Sequence, residues 1–250
     1  MKLALLSDLH ANERALKACL AHAQAAGATR FAFLGDLVGY GAEPAAVVDQ
    51  VIALHAEGAP VVLGNHDRAA LRPPAQVADA EAQSAAWTHE HLTAVQRQFL
   101  AALPLTATMD DALLVHASAH EPQRWTYIDN GVQVQRCLTA AETQHAARLV
   151  FCGHVHEQRL YYRGRAGSPM AFEPAEGVPV PLASHRRWLA LVGSVGQPRD
   201  GDPRAMYALF DAAQVRIAFH RVAYDHLGAA AAIRRAGLPE AFAQRLELGQ

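Results

Sequence analysis

Short apolar runs recur along this chain, and many of them stop at Asp, Asn or His. "KLALLS" (2–7) is brief and uninterrupted, the pattern of a strand buried on both faces. From Asn12 to about Gly27, Ala and Leu fall at helical spacing, and the closing glycine suits a C-cap. "RFAFLG" (30–35) predicts a second strand, a helix follows from about Pro44 to Glu57, and "APVVLG" (59–64) predicts a third strand. Strands alternating with helices at this spacing predict a parallel sheet covered on both faces.

The later pattern changes character. Residues 79–101 are Ala-rich and polar at helical period, predicting one or two helices with Trp87 and Leu92 turned inward. "LPLTATM" and "ALLVHAS" predict an antiparallel pair around a turn at Asp110 and Asp111. "ARLVFCG" and "EQRLYYR" flank a histidine pair, and the Gly- and Pro-rich stretch 164–187 reads as a hairpin or mobile loop. "RWLALVGS", "RAMYALFD" and "QVRIAFHRV" supply further strands before a short Ala/Arg helix. There is no internal repeat. The pattern predicts one domain over 1–250, a layered α/β sandwich with two mixed sheets and cap segments at 119–135 and 163–187.

Composition narrows the function. A chain of 250 residues can bury a full core. With 51% hydrophobic and 18% charged residues and a formal net charge of −2, it lacks the basic excess of a nucleic-acid binder. No apolar run approaches the ~20 residues that span a bilayer. "MKLALLSDLHANE" reads as a first strand and not as a signal peptide. Cys19, Cys137 and Cys152 are odd in number and lack a CxxC spacing, so a cytoplasmic location without disulfides is expected. Fourteen histidines are a surplus, and several stand at strand ends.

Those strand ends carry the candidate chemistry. Asp8 and His10 follow the first strand, Asp36 the second, and Asn65, His66 and Asp67 the third; His116, and then His154 with His156, follow later ones. In an open α/β sheet, ligands bind at the carboxyl ends of the strands. Mixed imidazole and carboxylate donors suit Mn, Fe, Co, Ni or Zn better than Mg or Ca. So many donors exceed one tetrahedral ion and suit a pair of ions.

Asp8-x-His10, Gly35-Asp36, Gly64-Asn65-His66-Asp67, His116 and Gly153-His154-x-His156 together resemble the motif blocks of the calcineurin-like metallophosphoesterase family, in the family's order. "GSVGQPRDGDPRA" (193–205) also resembles a stretch of its small bacterial members. The resemblance implies a four-layer α-β-β-α sandwich of two mixed β-sheets flanked by helices. It implies two divalent or trivalent transition-metal ions, with manganese or an iron–manganese pair foremost. Asp8, His10 and His156 would hold the first ion; Asn65, His116 and His154 the second; Asp36 would bridge. A hydroxide between the ions would attack phosphorus, with His66 assisting the leaving group and Asp67 behind it fixing its tautomer.

The expected activity is hydrolysis of phosphomonoesters or phosphodiesters on a small-molecule or nucleotide substrate. Dinucleoside polyphosphate hydrolysis is the runner-up, and protein phosphatase signatures are missing from "GDLVGYG" and "GNHDRAA". A scaffold role is the alternative from another class, since a retromer subunit similar to the family keeps the fold; that subunit departs at the GNHD histidine, which is intact here as His66. Candidate substrate contacts are Asn12, which is equally a helix cap, Tyr40, which either lines or underlies the pocket, and Arg124, Tyr127 and Arg199 in loops on the same edge. Oligomeric state is not legible.

Overall fold

Alternate residues of each central strand feed two different cores, which is why these strands are apolar throughout. In β1 (Lys2–Leu6), Leu3 and Leu5 face one cluster while Ala4 and Leu6 face another. In β5 (Leu149–Cys152), Leu149 and Phe151 join the cluster of Leu3 and Leu5, whereas Val150 and Cys152 face a third. A pleated strand sends successive side chains to opposite faces, so a strand sandwiched between two layers has no polar face. The computed structural model describes residues 1–250 apart from 75, 77, 165 and 166.

The first sheet has the order β2–β1–β10–β11–β8, where β2 is Arg30–Phe33, β8 Val180–Pro181, β10 Ala205–Asp211 and β11 Arg216–Val222. β1 pairs parallel with β2 and antiparallel with β10. The second sheet runs β3–β4–β5–β9–β6–β7, with β3 Thr106–Met109, β4 Ala112–Val115, β6 Gln158–Arg163, β7 Met170–Phe172 and β9 Arg187–Val192. Here β4, β5 and β9 are mutually parallel. Leu5, Leu34, Leu114, Phe151, Ala190 and Phe219 fill the space between the sheets.

Helices α1 (Glu13–Ala25) and α2 (Pro44–Ala56) cover the outside of the first sheet through Leu16, Cys19, Val47 and Val51. After α2 the chain runs through α3 (Asn65–Leu71), α4 (Ala80–His91) and α5 (Ala94–Ala102). Helix α6 (Gly131–His145) covers the second sheet with Val134, Cys137, Leu138 and Ala141. Helices α7 (His226–Arg235) and α8 (Glu240–Leu248) close the chain. The architecture is the expected sandwich of two mixed sheets between helical layers.

Three elements depart from the sequence pattern. "APVVLG" contributes an isolated parallel bridge, Val61 to Phe33, because the chain turns into α3 directly after Gly64. Helix α6 is absent from the sequence reading: its opening "GVQVQ" alternates like a strand, and the Asn130 side chain starts the helix by accepting from the amides of Val132 and Gln133. The single closing helix is in fact two. Among the described residues no helix is long and apolar enough to cross a membrane.

The expected cap at 163–187 runs mostly along the flank of the sandwich. It lays β7 on one sheet edge and β8 on the other, and rejoins β9 at the end remote from that strand's exit. Its residues 165 and 166 lie outside the described residues. The segment 119–135 is anchored through buried Ala119 and Ile128 against α6.

Phe151 is 1% exposed and its ring lies 5.1 Å from that of Phe210, so Phe151→Ala should cost about 3–5 kcal/mol. Phe172→Ala, on the exposed edge strand β7, should stay within about 0.5 kcal/mol. Urea unfolding followed by circular dichroism checks both.

Candidate metal centre and active site

Parallel strands release their chains at the same edge, and here both sheets release them at one place. β1 delivers Asp8 and His10, β2 delivers Asp36, β4 delivers His116, and β5 delivers His154 and His156. Nε2 of His116, from the second sheet, lies 3.2 Å from Oδ2 of Asp36, from the first. Asp8, His10, Asp36, His154 and His156 all have positive φ, between 47° and 67°. Such conformations cost roughly 1–3 kcal/mol each and persist only where the surroundings impose them. Their concentration in one cluster is the backbone signature of a site.

Glycines make the close approach possible. A Cβ on Gly64 would stand 2.1 Å from Oδ1 of Asp36, and one on Gly153 would stand 2.2 Å from Oδ2 of Asp8. Both carboxylates therefore lie directly against backbone that no other residue could supply.

Each of four imidazoles is clamped by one nitrogen to a backbone carbonyl. His10 Nδ1 donates to Val38 O (3.3 Å), His116 Nδ1 to Leu34 O (2.8 Å), His156 Nδ1 to Gln197 O (2.5 Å) and His154 Nε2 to Trp125 O (2.9 Å). A carbonyl can only accept, so these contacts fix which nitrogen of each ring carries a hydrogen toward the backbone and turn the other nitrogen toward the cluster. Ligand atoms of Asp8, His10 and His156 lie within 4.8 Å of one another, and those of Asp36, His116 and His154 form a second such group. Asn65 Oδ1 lies 3.0 Å from His116 Nε2. Oδ2 of Asp36 lies within 4.0 Å of His10 Nε2 and 3.2 Å of His116 Nε2, one from each group.

This arrangement fits a pair of metal ions. Nε2 of His10 and Nε2 of His156 face each other at 3.1 Å, and two lone pairs at that distance require a positive charge between them. Asp8 Oδ1 is buried with no hydrogen-bond partner among the described residues, 3.2 Å from His156 Nε2, while Asp8 Oδ2 accepts from the His154 amide. Burial alone would raise both carboxylic acids, yet the facing imidazoles hold Asp8 and Asp36 well below the usual carboxylate range. Burial pushes His10 well below its ordinary value and His154 down to about 4. His116 resists burial and is pushed up to about 9 by Asp36, so the point between them attracts positive charge.

His66 opens α3 beside this cluster. Its amide donates to Asp36 Oδ1 at 2.8 Å. Its ring packs 4.3 Å from the Tyr40 ring and edge-on to His10 at 5.2 Å, and a Cβ on Gly39 would stand 3.0 Å from it. Burial lowers its pKa.

Asp67 requires a correction. It does not back His66: Oδ1 accepts from the amides of Leu37 (2.8 Å) and Val38 (3.2 Å), and Oδ2 from that of Gly64 (2.9 Å). Adjacent residues on a helix point to different faces, so a carboxylate at 67 turns away from a ring at 66. Asp67 instead ties the turn before α3 to the loop after β2. Burial and then Asp36 push its pKa up to about 7 against those amides.

The expected substrate contacts divide. Asn12 is buried and committed, capping α1 through Ala15 N and donating to Gly196 O (3.0 Å) and Tyr224 OH (3.1 Å), which leaves it no reach toward a ligand. Tyr40 underlies the site between His10 and His66, its hydroxyl donating to Glu81 at 3.2 Å. Arg124 is 68% exposed and pairs with Glu121, whereas Tyr127 stacks on His154 at 4.1 Å with its other side open to solvent. Arg199 lies at the site, donating to Gln197 Oε1 at 3.0 Å.

Several supporting contacts are not legible in the sequence. Ser194 donates to Asp8 O (2.9 Å) and accepts from Gln197 N (2.8 Å), and the Gln197 carbonyl orients His156. The segment 193–205 reads as a motif, but nothing in its letters assigns these bonds. Trp125 acts through its carbonyl, which no side-chain pattern reveals.

Residues 1–214 match the family model described as the calcineurin-like phosphoesterase superfamily domain. The chain is 30% identical over 254 residues to an uncharacterised protein of Methanocaldococcus jannaschii, covering 99% of this chain and 98% of that one. It is similar to the crystal structure of a metallophosphoesterase from Sphaerobacter thermophilus, with a TM-score of 0.86 at 35% identity, over 100% of this chain and 99% of that one. A hypothetical protein from Pyrococcus horikoshii shares the fold, with a TM-score of 0.77 at 18% identity over 100% and 98% of the two chains. The matched domain and the cluster at its strand ends lead to one conclusion: the chain belongs to the calcineurin-like phosphoesterase superfamily.

Proposed function

We propose that this protein hydrolyses phosphate esters with two transition-metal ions, manganese or an iron–manganese pair, held by its strand-end cluster. Asp8, His10 and His156 would hold one ion, Asn65, His116 and His154 the other, and Asp36, which lies close to histidines of both groups, would serve both. The observation that supports this reading is the clamping of four rings by backbone carbonyls, which turns the other nitrogen of each ring toward two buried carboxylates. When bound, such ions lower the pKa of water and offset negative charge on phosphoryl oxygens.

The chain's own residues do the rest. His66 stands beside the cluster with no side-chain hydrogen bond among the described residues, leaving a ring nitrogen to donate to the leaving oxygen. Gly39 and Tyr40 hold its ring in place of the expected carboxylate. Tyr127 and Arg199 form the rim that meets the rest of the substrate. The substrate is a phosphorylated small molecule or nucleotide, phosphomonoester or phosphodiester. Three buried free thiols support a reducing, cytoplasmic setting.

Purified protein supplied with Mn²⁺ should hydrolyse bis-p-nitrophenyl phosphate and p-nitrophenyl phosphate; no turnover of either, with metal confirmed bound, refutes the reading. Asp36→Asn should weaken binding of both ions, as elemental analysis of the dialysed protein will report. His66→Ala should lower kcat by about 10²–10⁴-fold while both ions stay bound. Asp67→Asn should lower the stability of the metal-free protein by about 1–3 kcal/mol in denaturant, because an amide cannot accept at both of its ends.

A further inference from the structure

The four carbonyls that clamp the histidine rings are not equally supported. Leu34, Val38 and Gln197 are at most 1% exposed, and side chains brace each of them. Ser7 donates to Leu34 O at 3.3 Å, Asp67 accepts from the Val38 amide, and Ser194 accepts from that of Gln197. The fourth carbonyl, that of Trp125, belongs to a surface strap strung between Ala119 and Ile128, which are buried against α6. Glu121, Arg124 and Tyr127 of that strap are exposed.

Local preference does not give the strap its shape. Its regular element is a 3₁₀ turn, Pro122–Arg124, flanked by Glu121 at φ 51° and Trp125 at φ 52°. Left-handed backbone at residues other than glycine is strained and persists only where the surroundings impose it. Two imidazoles of the cluster are among those surroundings. The Tyr127 ring stacks on His154, with centres 4.1 Å apart and planes 26° apart, and the Trp125 ring stands edge-on to His116 at 5.8 Å. His116 and His154 belong to one donor group, together with Asp36. Among the described residues the ring neighbours of His10 are Tyr40, His66 and His156, so the strap packs its rings on one group and not on the other.

A hydrogen bond at one nitrogen leaves a ring free to swing about that contact, whereas a face-on stack fixes the plane as well. The backbone of His154 is pinned separately, by its amide on Asp8 Oδ2 at 2.9 Å. Removing the Tyr127 ring therefore frees the imidazole and not the chain that carries it. Resting on the two-ion reading above, we propose that the strap sets the affinity of the Asp36, His116 and His154 group for its ion and leaves the other group's affinity unchanged. Tyr127 is its positioning residue, holding the plane of His154. One ion is then governed from buried loops and the other from a ring on the surface.

Mn²⁺ titration of the metal-stripped protein in a calorimeter tests this. The wild type should take two ions. Tyr127→Ala should weaken one of them about 10–100-fold, the usual effect of losing a group that orients a ligating ring, and leave the other within about twofold. Tyr127→Phe keeps the stack and should restore both. Tyr127 is 48% exposed, so the metal-free alanine variant should unfold in urea alongside the wild type. At a Mn²⁺ concentration that fills the wild type, electron paramagnetic resonance should show a spin-coupled pair in the wild type and Tyr127→Phe, but isolated Mn²⁺ in Tyr127→Ala. Equal weakening of both ions, weakening of neither, or a phenylalanine variant as poor as alanine overturns the assignment while the two-ion reading survives. A wild type that takes fewer than two ions refutes that reading and the assignment with it.

Discussion

Two buried carboxylates, Asp8 and Asp36, surrounded by imidazole rings, set the terms for the rest of this molecule. Removing carboxylates from water is expensive unless positive charge replaces the lost hydration. Nothing in the apolar layers can supply it. The cluster therefore stands at the edge where two sheets release their strands, the one place where groups from β1, β2, β4 and β5 converge while remaining buried. The left-handed backbone at five of its residues and the tight fit at Gly64 and Gly153 follow from packing so many polar groups into one volume.

Rigidity comes from the backbone more than from other side chains. Carbonyls of Leu34, Val38, Trp125 and Gln197 hold the four rings, so the cluster is only as firm as the loops that present them. Asp67 and Ser194 stiffen two of those loops by bonding amides and a carbonyl. Tyr40 links this layer to the closing helices through Phe242, which makes the last part of the chain a structural neighbour of His66.

The corrections share a cause. Asp67 follows His66 in sequence, and adjacency suggested partnership, but successive helical residues diverge and Asp67 serves the backbone instead. Asn12 carried two readings, and its burial and three partners select the cap. Helix α6 was obscured by strand-like alternation over its first residues, which the Asn130 cap overrides. In each case local letters were compatible with two outcomes, and long-range contact chose between them.

By itself the sequence determined the layered α/β class, the central strands and the strand-end residues, because period-2 burial and chain exit are local properties written into successive letters. Tertiary structure alone decided which ring nitrogen faces the cluster, what supports His66, and that Arg199 and Arg245, 46 residues apart in the chain, each lie 5.9 Å from the Tyr40 ring. Those are relations between segments far apart in sequence. They depend on how layers stack and loops close, which no single stretch of residues encodes.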